Sequence, residues 1–195
     1  SLYGDSGHGK SHIAATLGQS VAIGEPFLGM CTIKGKVLDA DWELDREEQT
    51  LRAFEVAEGL GLSAPPVGFD YVRVDRSLID NLTWFQKTIE ENDYKLLIID
   101  SFGLACGGDS EASRSVISFL QALRQLRCTV LIVDHQSRLI EGQRYKNKDA
   151  FGSIYKKHLS RSAIQVQVIA DQGAKKGIVL RHAKANFSAR HDDLY

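Results

Sequence analysis

Cysteine is scarce in this chain of 195 residues: Cys31, Cys106 and Cys128 are scattered, odd in number and never paired as Cys-x-x-Cys. That pattern argues against a disulfide framework or a zinc site and fits a reducing compartment, so a cytoplasmic protein is expected. Long apolar runs are missing too. No stretch approaches the roughly 20 residues that a membrane-spanning helix needs, so no membrane partner is expected. No charged-then-apolar secretory leader is found either. The net charge is only −1, so nothing global announces a nucleic-acid partner and any basic surface has to be local. Internal repeats, low-complexity tracts and interior linkers are also lacking. With 43% hydrophobic and 25% charged residues, the chain reads as one globular domain over 1–195, long enough for a sizeable core. A starting methionine is absent and the nucleotide motif begins at residue 4. The expectation is therefore a piece of a longer protein that lacks most of its first strand.

Apolar runs alternate with helical patterns along what is there. Ser11–Ile23 has helical spacing, with Ile13, Ala14, Leu17, Val21 and Ala22 on one side. KVLDADWE (36–43) reads as a short strand ending in acids. Residues 43–61 read as a helix with an acidic start and a stop at Gly59 or Gly61. After a turn with Pro65, Pro66 and Gly68 come a small strand at 71–74, a helix at Leu82–Glu91 and a buried strand at 95–100. A helix at Glu111–Leu126 and a second buried strand, CTVLIVDH (128–135), follow. Two strands, around 163–169 and 176–182, finish the chain. Strands that are apolar throughout and separated by helices imply a parallel sheet covered on both faces. The last two, joined through DQGAKKG, read as an antiparallel hairpin at one edge.

Gly4-Asp5-Ser6-Gly7-His8-Gly9-Lys10-Ser11 fits G-x-x-x-x-G-K-[ST], the pattern of a loop that cradles the phosphates of ATP. Its glycines let backbone N–H groups curl around phosphate oxygens, and the helix behind presents its N-terminus to the same anion. Lys10 is expected to reach the β- and γ-phosphates and Ser11 to hold Mg²⁺. His8 occupies a variable position and reads as incidental, and His12 is counted with the nucleotide-contacting residues. Asp100, at the C-terminal end of KLLIID, is the expected second metal ligand, because that end of an open α/β sheet is where ligands bind. Asp134 is a weaker candidate for the metal's outer surroundings. For the base that activates water there are three rivals. Asp39, Asp41 and Glu43 alternate along one strand and point one way, so spacing alone does not choose among them. Trp42 reads as core packing. His135, again at a strand end, reads either as a γ-phosphate sensor or as a structural histidine.

The order of these motifs, with LLIIDSFGLACGGDSEASRSVISFLQALRQ, TVLIVDHQSR and AFGSIYKKHLSRS, resembles the RecA-like ATPases, and within them the RepA-type hexameric replicative helicases. The resemblance covers nearly the whole chain. It implies a RecA-like, doubly wound, mostly parallel sheet with helices on both faces and an antiparallel edge hairpin near the C-terminus. It also implies Glu43 as catalytic base, Asp100 as metal-binding aspartate and His135 as γ-phosphate sensor. Asp109, Glu111 and Ser113 fall in the family's region after that aspartate. Relatives carry a lysine and an arginine near the final strand that reach the neighbouring subunit's ATP. Lys184 stands at the lysine position, but Asn186 stands where an arginine often does, leaving Arg181 or Arg190 as substitutes. The implied assembly is a homo-oligomeric ring, typically six subunits, with ATP at each interface.

Residues 136–161 carry Arg138, Arg144, Lys146, Lys148, Lys156, Lys157 and Arg161 against Glu141 and Asp149, with Tyr145 and Phe151 interleaved. Such a stretch suits single-stranded DNA, to which aromatic stacking contributes about 1–3 kcal/mol per base. It equally suits an ordinary solvated loop, and its place directly after His135 favours the DNA reading. The expectation is an ATP-hydrolysing helicase motor, with a RecA-like regulatory or recombination-associated ATPase that does not unwind as the alternative. A small-molecule kinase is disfavoured, because no acceptor pocket is recognisable and Glu43 suits water better.

Overall fold

The computed structural model describes residues 1–108, 112–135, 160–170, 176–186 and 189–194. Seven strands form one sheet: β1 (Leu2–Gly4), β2 (Lys36–Asp41), β3 (Phe69–Arg73), β4 (Tyr94–Asp100), β5 (Thr129–His135), β6 (Ser162–Ala170) and β7 (Lys176–Ala185). Five helices are described: α1 (Lys10–Ile23), α2 (Arg46–Gly59), α3 (Leu82–Asn92), the single turn α4 (Phe102–Ala105) and α5 (Ser113–Leu123). The strand order is β3-β2-β4-β5-β1-β6-β7. All neighbours pair in parallel except β6 and β7, which are antiparallel at the edge. This is the expected doubly wound sheet with its edge hairpin, and β1 lies in its interior between β5 and β6.

Two apolar cores lie on the two faces, sorted by the two-residue alternation of the strands. Leu38, Ala40, Leu97 and Ile99 join Phe85 and Ile89 of α3, Phe102 of α4 and Phe119 of α5 in one core. Val37, Leu96, Ile98 and Val133 join Ala14, Ala15 and Ala22 of α1 and Ala53 and Val56 of α2 in the other. Each large side chain removed from water stabilises the fold by about 1.5–3 kcal/mol. The same alternation turns Asp39, Asp41 and Asp100 to the α1/α2 face, where an apolar residue would otherwise stand.

Three sequence expectations shift. The buried face of α1 is built on Ala14, Ala15, Gly18 and Ala22, with Gln19 donating to Ala53 O of α2, while Ile13 and Val21 pack only in part against the core. Small residues take that face because the sheet is close: a Cβ on Gly18 would meet the Phe69 ring at 2.7 Å and Ile98 Cδ1 at 2.9 Å. The second shift is that β2 stops at Asp41, so Trp42 and Glu43 sit on a turn before α2. α2 starts only at Arg46 because Asp45 caps it, its carboxylate accepting from the N–H groups of Glu47 and Glu48 at 2.9 and 3.0 Å. Asp45→Ala is expected to cost about 1 kcal/mol in a urea unfolding experiment, and an unchanged midpoint would contradict the cap. Finally, the helix expected over Glu111–Leu126 spans Ser113–Leu123, with Arg124 as its C-cap.

Candidate nucleotide site

Register brings the site together. Gly4 of β1 lies opposite His135 of β5, and Asp41 of β2 lies opposite Asp100 of β4. All four stand at the C-terminal ends of parallel strands, the ends that face a ligand in such sheets.

The loop after β1 turns through left-handed glycines, Gly7 at φ 77° and Gly9 at φ 78°, and Gly9 is the N-cap of α1 with no capping side chain. Gly4 is required for a different reason: a Cβ there would collide with the Val166 carbonyl of β6. His8, read as incidental, instead reaches the same carbonyl, with Nδ1 3.4 Å from Val166 O. The loop therefore rests on β6. Lys10, only 4% exposed, folds back beneath it, and Nζ donates to Asp5 O at 2.8 Å and lies 3.4 Å from His135 Nδ1. Burial lowers its pKa, against the pull of Asp100, Glu43, Asp134 and Asp5. His12 points outward and its Nε2 lies 3.3 Å from Glu55 Oε2.

The three rival acids separate clearly. Asp39 is buried and hydrogen-bonded by Gln49 Nε2. Burial first, then the charges of Asp100 and Asp41, push its pKa up to about 8. Asp41 holds the turn, its Oδ1 accepting from the N–H groups of Glu43 and Leu44 at 2.6 and 2.9 Å. Leu44 O in turn accepts from Arg73 Nη1 at 2.7 Å and Tyr71 OH at 3.2 Å. Glu43 alone among the three faces open space, its side chain 39% exposed. Its Oε1 accepts from Ser101 Oγ and lies 3.5 Å from His135 Nε2. The hydrogen bond from His135 first, then that from Ser101 and the charge of Lys10, hold its pKa down to about 2 against desolvation.

Asp100 is buried on the floor of the site. Burial is the main cause that raises its pKa to about 6, and the Ser11 hydroxyl beside it acts in the opposite direction. Ser11 and Asp100 are thus neighbours, and a hydroxyl and a carboxylate are the hard oxygen donors that suit Mg²⁺, which keeps several non-protein ligands. No group of three or more His, Cys, Asp or Glu among the described residues could hold a metal ion alone. The donor set therefore fits a metal shared with phosphates.

Sequence reasoning missed Arg52 and Ser101. Arg52 of α2 reaches in beneath the acids, Nη1 3.5 Å from Asp100 Oδ2 and 3.7 Å from Asp41 Oδ2. Arg52 adjoins the buried positions Gln49, Ala53 and Val56 on one helical face, a face that the sequence pattern does not mark. Ser101 carried no signal beyond adjacency to Asp100. Asp134 is buried, and its Oδ1 accepts from the N–H of His135 at 2.9 Å. Trp42 is core, stacked on Phe85 at 6.1 Å with its indole N–H donating to Arg76 O at 2.8 Å.

The residues expected to act on a neighbouring subunit are not brought to this site. Lys184 pairs with Ala163 and Arg181 with Gln165, below the level of the loop. Lys184 Nζ donates to Ser160 O at 2.7 Å and Arg181 Nε to Asp193 Oδ2 at 3.2 Å, while Arg190 is exposed. An open cleft lined by Arg181, His182, Arg190 and His191 lies on this edge and includes none of the loop residues. Arg138, Arg144, Lys146, Lys148, Asp109 and Glu111 lie outside the described residues. No described helix is long and apolar enough to cross a membrane.

A search of curated proteins finds no match. Among solved structures, the chain is similar to a KaiC-like protein from the hyperthermophilic archaeon Pyrococcus horikoshii OT3. That similarity has a TM-score of 0.66 at 13% identity over 98% of this chain and 81% of that one. At that identity the likeness speaks for the fold alone. A family model described as an AAA domain matches residues 1–141, well over half of the chain and the whole of the phosphate loop, β2, β4 and β5. The chain belongs to this AAA domain family, and it is a RecA-like P-loop ATPase domain.

Proposed function

We propose that this domain is the motor of a RepA-type DNA helicase, hydrolysing ATP with Mg²⁺ at the subunit interfaces of a hexameric ring and so moving single-stranded DNA. The observation that carries the reading is the chain of contacts from Lys10 through His135 to Glu43. It sits at the end of β5, where the basic stretch 136–161 begins.

Lys10 Nζ lies 3.4 Å from His135 Nδ1, and His135 Nε2 lies 3.5 Å from Glu43 Oε1. Phosphate oxygens are stronger partners for Lys10 and His135 than either is for the other. As they take these donors, Glu43 loses the hydrogen bond that most suppresses its basicity and can accept a proton from water. A carboxylate in that role supplies about 10²–10⁴-fold. Mg²⁺, when bound by Ser11 and Asp100, supplies charge neutralisation on the phosphates. Arg52, 3.7 Å from Asp41 and 3.5 Å from Asp100, offsets part of the repulsion between these buried carboxylates. His135 then reports the phosphate to the residues directly after it, where Arg138, Arg144, Lys146 and Lys148 would grip DNA. Lys184, Arg181 and Arg190 are the candidates for reaching the next subunit's ATP.

The near-neutral net charge of the chain favours a second reading, a RecA-like regulatory or recombination-associated ATPase without unwinding activity. The test is ATP hydrolysis with and without single-stranded DNA, run beside a strand-displacement assay. The helicase reading expects a severalfold higher rate with DNA, and displacement fuelled by ATP. Stimulation without displacement supports the regulatory ATPase, and a rate indifferent to DNA removes the coupling altogether.

A further inference from the structure

Glu43 is held from two sides, and only one of the holders belongs to a motif. Its backbone is fixed by the Asp41 turn and the Tyr71 and Arg73 contacts beneath Leu44. Its carboxylate is fixed by His135 and Ser101. Those two holders differ. The His135 side chain is 47% exposed, stands 3.5 Å from Glu43 Oε1 and is shared with Lys10. In the reading above it is drawn away when phosphate arrives. Ser101 is 2% exposed and has a single rotor. It is anchored by its own carbonyl, which accepts from the Ala105 N–H at 3.1 Å, and by its neighbour Asp100, whose carbonyl accepts from the Trp42 N–H at 2.6 Å. The ends of β4 and of the Glu43 turn are thus tied together by backbone as well as by this side chain. Both donors address Oε1. Oε2 has no hydrogen bond among the described residues, and it is the oxygen left to meet a water.

We propose that Ser101 is a positioning residue for ATP hydrolysis, its hydroxyl fixing the direction of the Glu43 carboxylate so that Oε2 faces the phosphate site after His135 has turned to the nucleotide. The proposal rests on Glu43 as the base. A misplacement of about 1 Å at a reacting group is enough to cost about 10²-fold in rate, and a glutamate with three rotatable bonds has that freedom once its donor is gone.

The experiment is a double-mutant cycle on the full chain with Glu43→Gln, reading kcat and KM for ATP and the Kd of a fluorescent ATP analogue. Ser101→Ala is expected to lower kcat about 10- to 100-fold with KM and Kd within about twofold, and to have no further effect in the Glu43→Gln background. Ser101→Cys, similar in volume but a weak donor, is expected to behave like Ser101→Ala; it serves should the alanine variant melt early. Ser101→Thr, which keeps the hydroxyl, is expected to recover most of the rate. A Ser101→Ala or Ser101→Cys enzyme with wild-type kcat overturns the proposal, as does an equal loss in both backgrounds, which would mark a structural role. Should Glu43→Gln itself turn over normally, the base assignment fails and Ser101 falls with it; a crippled Glu43→Gln beside a normal Ser101→Ala sinks the serine alone.

Discussion

Glu43→Gln is expected to lower kcat for ATP by about 10²–10⁴-fold while nucleotide affinity stays within a factor of a few. The substitution is nearly isosteric. Its amide oxygen can still accept from Ser101 and His135, so the turn held by Asp41 has no reason to move, and only the ability to take a proton is lost. The other two acids of the β2 end cannot substitute. Asp39 is committed to Gln49, and Asp41 to two backbone N–H groups of the turn. Steady-state hydrolysis together with a fluorescent-nucleotide titration measures both quantities. A rate within about threefold of the unmodified chain would return the base to an unassigned group. A large loss of binding instead would mean that Glu43 shapes the pocket and does not act on water.

Asp39→Asn is expected to raise thermal stability, by an amount that grows with pH. Asp39 is buried beneath α2, where burial and two neighbouring carboxylates push its pKa up to about 8. An ordinary aspartate in the unfolded chain titrates near 3.9. Between these values the unfolded state has released its proton and the folded state has not, so stability falls as pH rises through the window from about 4 to about 8. Below it the acid is neutral in both states and this contribution is complete. Asparagine removes the titration and keeps the contact, accepting from Gln49 Nε2. It also donates toward Gln49 Oε1, which is buried with no hydrogen-bond partner among the described residues. Each pH unit of the window corresponds to about 1.4 kcal/mol. Even a partial effect is then a few kcal/mol, or on the order of 5–10 °C in Tm for a domain of this size. Melting curves of both proteins at pH 5, 7 and 9 decide the matter. Parallel curves would mean that Asp39 is ionised in the fold and balanced by Arg52.

Much of the fold was legible because its signals are local. Glycine, lysine and serine at fixed spacing announce a phosphate loop whatever surrounds them, and apolar runs of strand length between amphipathic stretches announce a covered parallel sheet. Errors fell where a contact overrode a pattern. Alternation carried β2 on to Glu43, yet the Asp41 carboxylate captures the next N–H groups and ends the strand two residues earlier. Periodicity placed Ile13, Leu17 and Val21 on one side of α1 with Ala14 and Ala22; the two alanines are buried there, whereas close approach to Phe69 and Ile98 at Gly18 leaves Ile13 and Val21 only partly covered.

The site divides in the same way. The chain's own letters singled out Lys10, Ser11 and Asp100, each at the end of a readable strand or loop, and left His135 as sensor or structural histidine until a resemblance favoured the first. They were silent on Arg52 and Ser101, and with Asp39, Asp41 and Glu43 they offered three equivalent acids until a resemblance favoured one. Choosing among those acids depends on how much water each loses and on which partners lie across the sheet. Both follow from the register that sets Asp41 against Asp100 and Gly4 against His135, residues 59 and 131 positions apart along the chain. Spacing along a strand reports direction, and it carries no information about distance to a strand so far away. Burial and charge, which leave Glu43 facing open space and engage Asp39 and Asp41 with Gln49 and the turn, come into being only when those strands pair.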